Sequence, residues 1–296
     1  MSRRSRRVVV VLALLAAGWL ASGVLASYLL TARARPPFDE PAPVGHDAIR
    51  LHTRDGLSLG AWWDERPRDR AAVVLLHGNG GSRSDLAAHA ETFRSLGCST
   101  LAVSLRAHGD SEGDHNDLGH SARWDVIAAV EWLRARDASR PVVVAGFSLG
   151  AAAALYASPD LDADGYVLAA PYADLRLATR RRTRRYLPPG LEALAYSALT
   201  VGARFWLPDL DELRPAERAR VPPNVPTLIF VGEADDRAPP SDAEAIASRL
   251  TRVTVERVPG ADHETTIDHP TTSAGRRSVA RLLHEVAPRA HDVGAP

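Results

Sequence analysis

The chain has 296 residues, 45% of them hydrophobic, which is enough for one large domain with a full core and too little for two comfortable ones. Its 36 basic side chains balance 36 acidic ones, and every base is an arginine. Without lysine the sequence excludes a P-loop, a Schiff base and a lysine general base; with Cys98 as its one cysteine it excludes internal disulfides, CxxC zinc ribbons and four-cysteine clusters.

The neutral total hides two unlike segments. Residues 1 to 35 hold six arginines and no acid, leaving 30 arginines against 36 acids in the remainder. Val8 to Leu30 is 23 residues without a charge, long enough at about 1.5 Å per residue to cross a hydrocarbon core of about 30 Å. The run exceeds the h-region of a signal peptide, and Arg35 and Pro36 follow Ala32-Arg33-Ala34, the one imitation of a cleavage site. A retained transmembrane anchor is therefore expected, with a secreted product as the alternative. Arg3, Arg4, Arg6 and Arg7 precede the span, against Arg33 and Arg35 after it, which predicts a cytoplasmic N-terminus and an extracytoplasmic domain. Residues 36–45, rich in proline, read as a stiff spacer lifting a domain at 46–290 off the bilayer, with 291–296 as a tail.

Beyond the spacer, His46 to Thr53 and Leu57 to Trp63 alternate around Asp55-Gly56 and predict a hairpin, with Trp62 and Trp63 in its packing. Ala71 to His77, Cys98 to Ser104, Pro141 to Gly146, Gly165 to Ala169, Thr227 to Val231 and Val253 to Val258 read as strands, most of them buried on both faces. Ser84 to Leu96, Ala122 to Ala135 and Leu149 to Ala157 have helical spacing between them. Such alternation predicts an α/β fold with a doubly wound, mostly parallel sheet. The stretch from about 174 to 221 is too long for a loop and is expected to hold its own helices as a cap over a pocket. Cys98, ahead of an apolar run, belongs in the core.

Chemistry concentrates at Gly146-Phe147-Ser148-Leu149-Gly150, between an apolar strand and an alanine-rich helix. A serine on such a turn has an exposed Oγ above a helix N-terminus, and its flanking residues must be small because strand and helix nearly touch. Upstream, His77-Gly78-Asn79-Gly80-Gly81-Ser82 follows a buried strand and offers a second backbone N–H at Asn79; a dinucleotide loop is excluded because Arg83 stands where a third glycine belongs. Downstream, Asp235 and His263 follow strands at the sheet edge where catalytic groups gather, with Asp236 and Asp262 competing for the acid position. His77 reads as a hydrogen-bonding residue of its turn.

These motifs, with Gly232-x-x-Asp235-x-x-x-Pro239 and Gly260-x-x-His263, resemble the α/β-hydrolase fold superfamily over roughly 45 to 290. Thr53-x-Asp55-Gly56-x-x-Leu59 and Arg106 to Gly113 are similar to the membrane-anchored Bem46-like proteins near the serine aminopeptidase and monoglyceride lipase branch. The resemblance implies a Ser148, Asp235, His263 triad, with the N–H groups of Asn79 and Leu149 as oxyanion donors. It favours Asp235 over Asp236. One departure stands out: Ser104-Leu105-Arg106-Ala107-His108-Gly109 replaces the family's Asp-x-Arg-Gly-His-Gly, so an expected Asp–Arg contact is lost, and His108 is read as structural.

The remaining clusters are weaker. Asp114, His115, Asp117 and His120 lack a fixed ligand spacing and read as a solvated loop, with no metal and no cofactor expected. The arginines from 180 to 185 read as a solvated helix face, with anionic lipid head groups as the rival and no nucleic acid. The expected activity is a serine hydrolase acting on carboxylic esters of small-molecule or lipid-like acyl substrates. An aminopeptidase, lipase or thioesterase with the same triad is the enzymatic alternative, and a non-catalytic membrane-anchored binding protein the alternative of another class.

Overall fold

The structure, a computed structural model, describes residues 2–207 and 210–286. The first half of the chain forms α1 (Arg3–Thr31), β1 (Asp47–His52), β2 (Ser58–Asp64), β3 (Ala72–Leu76), α2 (Ala87–Ser95), β4 (Ser99–Val103) and α3 (Arg123–Arg136). After it come β5 (Val142–Phe147), α4 (Leu149–Ala157), β6 (Gly165–Ala169), α5 (Leu175–Tyr186), α6 (Leu191–Ala203) and α7 (Pro215–Arg218). The chain then runs through β7 (Thr227–Gly232), α8 (Pro240–Ala247), β8 (Val253–Val258), α9 (His263–Asp268) and α10 (Ser273–Glu285). The expected tail at 291–296 lies outside the described residues.

The eight strands form one sheet in the order β1-β2-β4-β3-β5-β6-β7-β8, with β3 to β8 parallel and the β1–β2 hairpin added antiparallel beyond β4. Period-two alternation explains why helices cover both faces. In β3, Val74 and Leu76 pack with Val126 and Ile127 of α3, while Val73 and Leu75 face the other way onto Phe93 of α2 and Leu282 of α10. The chain switches sides at β3, whose neighbours are β4 and β5. Open α/β sheets bind ligands at the carboxyl ends of strands at such a switch. Leu76 pairs in register with Gly146, so the turns after β3 and β5 emerge side by side.

Several elements differ from expectation. The helix expected from Ser84 begins as a 3-10 turn at Arg83–Leu86, held by a reciprocal cap between Ser82 and Asp85. Helices α8, α9 and α10 had no counterpart in the reading, although α10 presents Val279, Leu282 and Leu283 to the core. The long insertion holds α5, α6, a 3-10 turn at Leu210–Glu212 and α7, with the Asp174 side chain capping α5.

Helix α1 fits the expected membrane span and adds contacts that the sequence did not suggest. Helix α1 is long and apolar enough to cross a membrane, yet its C-terminal half packs along α6. Trp19 Nε1 donates to the Leu194 carbonyl at 3.1 Å and Trp206 Nε1 to the Val24 carbonyl at 3.3 Å, so the two helices run parallel. Their backbones meet where Gly23 faces Ala198 and Gly202, small residues that allow close approach. The expected stiff spacer at 36–45 is fixed to the domain at Glu40. Glu40 is buried against the domain, where it accepts from Ser84 Oγ at 2.6 Å and Ser104 Oγ at 2.7 Å and pairs with Arg83 at 3.3 Å.

Candidate active site

Ser148 sits between β5 and α4 with φ of 49°, a left-handed conformation that an L-residue adopts only when its surroundings enforce it. The enforcement is visible in its glycines. A Cβ on Gly146 would lie 2.5 Å from the Gly150 carbonyl oxygen, and one on Gly150 would lie 2.7 Å from the Leu76 carbonyl carbon. Strand, turn and helix therefore touch with no room for a side chain, and the Ser148 Oγ is turned out at the sheet edge.

From Ser148 a line of hydrogen bonds runs across the cleft. His263 Nε2 lies 3.0 Å from Ser148 Oγ, and His263 Nδ1 lies 2.8 Å from Asp235 Oδ2. Both partners are buried, Asp235 at 2% exposure and His263 at 8%. The other Asp235 oxygen accepts the backbone N–H groups of Arg237 and Ala238, each at 2.9 Å, which fixes the carboxylate's orientation. Its rivals are occupied elsewhere. Asp236 is exposed and pairs with Arg185 at 2.7 Å, and Asp262 caps α9 by accepting from Thr265 N at 2.9 Å.

The loop after β3 approaches from the other side. Asn79 and Leu149 line the same cavity as Ser148, and among the described residues neither backbone N–H has an acceptor. Two histidines hold this loop. His77 Nδ1 donates to the Gly78 carbonyl at 2.7 Å while Nε2 accepts from Leu105 N at 3.0 Å. His108 Nδ1 donates to the Arg106 carbonyl at 2.8 Å while Nε2 accepts from Gly80 N at 3.1 Å. Each ring must be neutral to do this, and burial, with His108 alongside, pushes the His77 pKa down to about 3.

The departure at Ser104 is compensated from an unexpected place. Arg83, with its N–H donating to Ser104 Oγ at 3.0 Å, finds its carboxylates in Glu40 and Asp110. Arg106 is not left without acids either, since Asp125 and Asp55 each accept from it at 2.7 Å. Ala107, standing where the resemblance has a glycine, takes φ of 59°.

The cavity above Ser148 measures about 290 Å³, at the small end of ligand sites. Tyr172, Ala178, Arg182 and Ile267 line it, and so does Leu30 from the end of α1. Sequence reasoning missed Leu30 and Glu40, because nothing local marks a residue whose partners lie far along the chain. The other clusters resolve into packing and ion pairs. Asp117 accepts from Ser121, and His115 stacks on Trp206. Arg180, Arg181, Arg184 and Arg185 pair with Glu192, Asp242 and Asp236. Trp63 meets Trp132 edge-on, and burial raises the Cys98 thiol to about 12.

Comparison with known proteins agrees with this geometry. An uncharacterized protein of Mycobacterium tuberculosis is 30% identical over 304 residues, covering 96% of both chains. A mouse protein, the lysophosphatidylserine lipase ABHD12, is 27% identical over 124 residues, 39% of this chain and 30% of its own length. Among solved structures, the esterase Pf2001 of Pyrococcus furiosus superposes with a TM-score of 0.66 at 21% identity, covering 85% of this chain and 98% of that one. Residues 73–275 match the Alpha/beta hydrolase family across the strands, elbow and loops just described, and the chain belongs to that family.

Proposed function

We propose that this hydrolase cleaves carboxylic esters through an acyl-enzyme, with Ser148 as nucleophile, His263 as general base and Asp235 as the residue that orients the imidazole. The supporting observation is the unbroken line from Ser148 Oγ through His263 to Asp235, at 3.0 and 2.8 Å. His263 takes the Ser148 proton as Oγ attacks the acyl carbon, and Asp235 stabilises the imidazolium so formed. The negative charge that develops on the carbonyl oxygen meets the Asn79 N–H from the loop after β3 and the Leu149 N–H at the start of α4. Each such donor contributes about 3 kcal/mol. Collapse expels the alcohol with the proton from His263, and a water activated by the same ring then frees the acid. The reading calls for no metal or cofactor, and its substrate is a small-molecule or lipid-like acyl compound.

The same machinery cleaves amides and thioesters, so substrate class rests on the cavity. Its apolar lining from Leu30, Leu118, Leu175 and Ile267 favours an acyl group over a charged peptide. A membrane seat fits α1, with the N-terminus in the cytoplasm and the domain on the other side as the arginine distribution directs. The test uses the full chain in detergent. A fluorophosphonate probe labels the wild type once and fails to label Ser148→Ala; undiminished labelling of that variant removes the nucleophile assignment. Turnover of p-nitrophenyl esters but not aminoacyl-p-nitroanilides is expected, and the reverse preference makes the protein a peptidase.

A further inference from the structure

The cavity above Ser148 does not end at the cap. At Leu30, Leu118, Leu175 and Thr179 it adjoins a second cleft, which runs between α1 on one side and α5 and α6 on the other. Leu199 and Leu207 continue its wall away from the serine. Three of the polar side chains that line this cleft hydrogen-bond within their own helices. Ser27 Oγ donates to the Val24 carbonyl at 2.9 Å, Thr31 Oγ1 to the Ser27 carbonyl at 3.0 Å, and Thr200 Oγ1 to the Tyr196 carbonyl at 2.8 Å. Leu30, Leu118, Leu175, Leu199, Leu207 and Leu210 make up most of the remaining lining, beside Arg176, Thr179 and Tyr196.

We infer that this cleft, of about 50 Å³, takes the distal methylenes of a substrate acyl chain that begins in the catalytic cavity, so that the anchor helix α1 is a wall of the binding site and sets chain-length preference. The inference rests on the ester-hydrolase reading above and adds its substrate class, a single alkyl chain esterified to a small head. Three observations converge on that occupant. The cleft shares Leu30, Leu118, Leu175 and Thr179 with the catalytic cavity, so it lies directly beside the space above Ser148. One wall is a helix apolar and long enough to cross a bilayer, and its partner α6 exposes Leu191, Leu194 and Val201, which brings the groove beside lipid tails. The groove is narrow, about 50 Å³, and it suits one chain in preference to two.

The test compares p-nitrophenyl decanoate with p-nitrophenyl acetate on the full chain in detergent micelles. Leu199→Trp fills the cleft away from the serine. The decanoate-to-acetate ratio of kcat/KM is expected to fall about tenfold, which is the loss of the few methylenes the indole displaces. Leu199→Ala, which widens the groove, is expected to move the preferred chain to a longer ester. A ratio within about twofold of wild type in the tryptophan variant overturns the inference. Binding is read separately from turnover by photolabelling Ser148→Ala in phosphatidylcholine vesicles with a diazirine fatty acid. Adducts on α5, α6 and the last turns of α1 support the cleft, and adducts confined to the lipid-facing Val8 to Leu15 refute it. A protein that hydrolyses no ester of any length defeats the ester reading alone, and the photolabel then decides the cleft.

Discussion

Replacing Asp235 by asparagine tests the proposed site most sharply, because the change preserves shape and reverses one hydrogen bond. Asp235 Oδ1 accepts two backbone N–H groups at 2.9 Å, so the asparagine keeps its carbonyl oxygen there and turns its NH2 toward His263. His263 Nδ1, 2.8 Å away, must then accept, which moves the ring proton to Nε2 and aims it at Ser148 Oγ. A protonated Nε2 takes no proton from the serine. The wrong tautomer, with no carboxylate to stabilise the imidazolium, is expected to lower kcat about 10⁴-fold, as in serine proteases, or about 5 kcal/mol of barrier. Asp236→Asn removes an exposed pair with Arg185, worth under about 1 kcal/mol, and is expected to leave kcat within about twofold. The assay is kcat and KM on a soluble ester, with thermal unfolding of each variant to separate misfolding from lost chemistry. A larger loss in Asp236→Asn, or Asp235→Asn within tenfold of wild type, refutes the assignment.

Other consequences follow from the groups around the loop. His77, with a pKa near 3 in the fold against 6.5 for the free side chain, binds fewer protons folded than unfolded between those values, so stability falls as pH drops below about 6.5. Between pH 7 and 5 the loss is about 2 kcal/mol, read from urea unfolding, and His77→Gln is expected to remove that slope. Burial alone would raise the Glu40 carboxyl, but its serine hydrogen bonds and Arg83 hold it below the ordinary range. Glu40→Ala should lower stability at neutral pH, and the deficit is expected to shrink as pH falls through the depressed pKa, measured by thermal unfolding across pH. Arg33→Ala should lower kcat about tenfold with little change in KM, an outcome read from ester kinetics; a rise in KM alone, with kcat intact, counts against it.

Much of the site was legible because its signals are local. The elbow at Ser148 needs a strand, a left-handed residue and two positions without side chains, and each is written within five residues. Gly232 to Pro239 and Gly260 to His263 are likewise single turns after single strands. Asp235 and Asp236 were harder to separate, since adjacent residues share a loop and differ in what lies opposite: His263 for one, Arg185 for the other. Glu40 was read as part of a spacer because a buried acid shows only in the context of its partner, and Arg83 lies 43 residues on. The loss of a carboxylate at Ser104 was correctly noticed, but its replacement from outside the motif is a matter of three-dimensional packing. Helix α1 was legible as a candidate membrane span, but its contact with α6 was not: the apolarity that suits lipid also suits a neighbouring helix, and composition does not say which face does which.

That ambiguity matters because the end of the anchor and the loop carrying Asn79 are mechanically joined. Arg33 donates to the carbonyls of Gly109 and Gly113 at 3.1 Å and to that of Ser111, which holds the turn whose His108 accepts the Gly80 N–H. A second route is shorter. Asn116 N donates to the Thr31 carbonyl at 2.6 Å, and Asn116 Nδ2 donates to Asn79 Oδ1 at 2.8 Å. A helix serving only as a tether would leave the chain after it slack, and motion of the bilayer would stop at the linker. Here Thr31 and Arg33 are built into the turns that aim Asn79, so a shift of α1 against the domain displaces the proposed oxyanion donor. Positioning errors of about 1 Å lower rates by orders of magnitude, so substitutions that release Arg33 or Asn116 from these turns are expected to lower kcat at the proposed site.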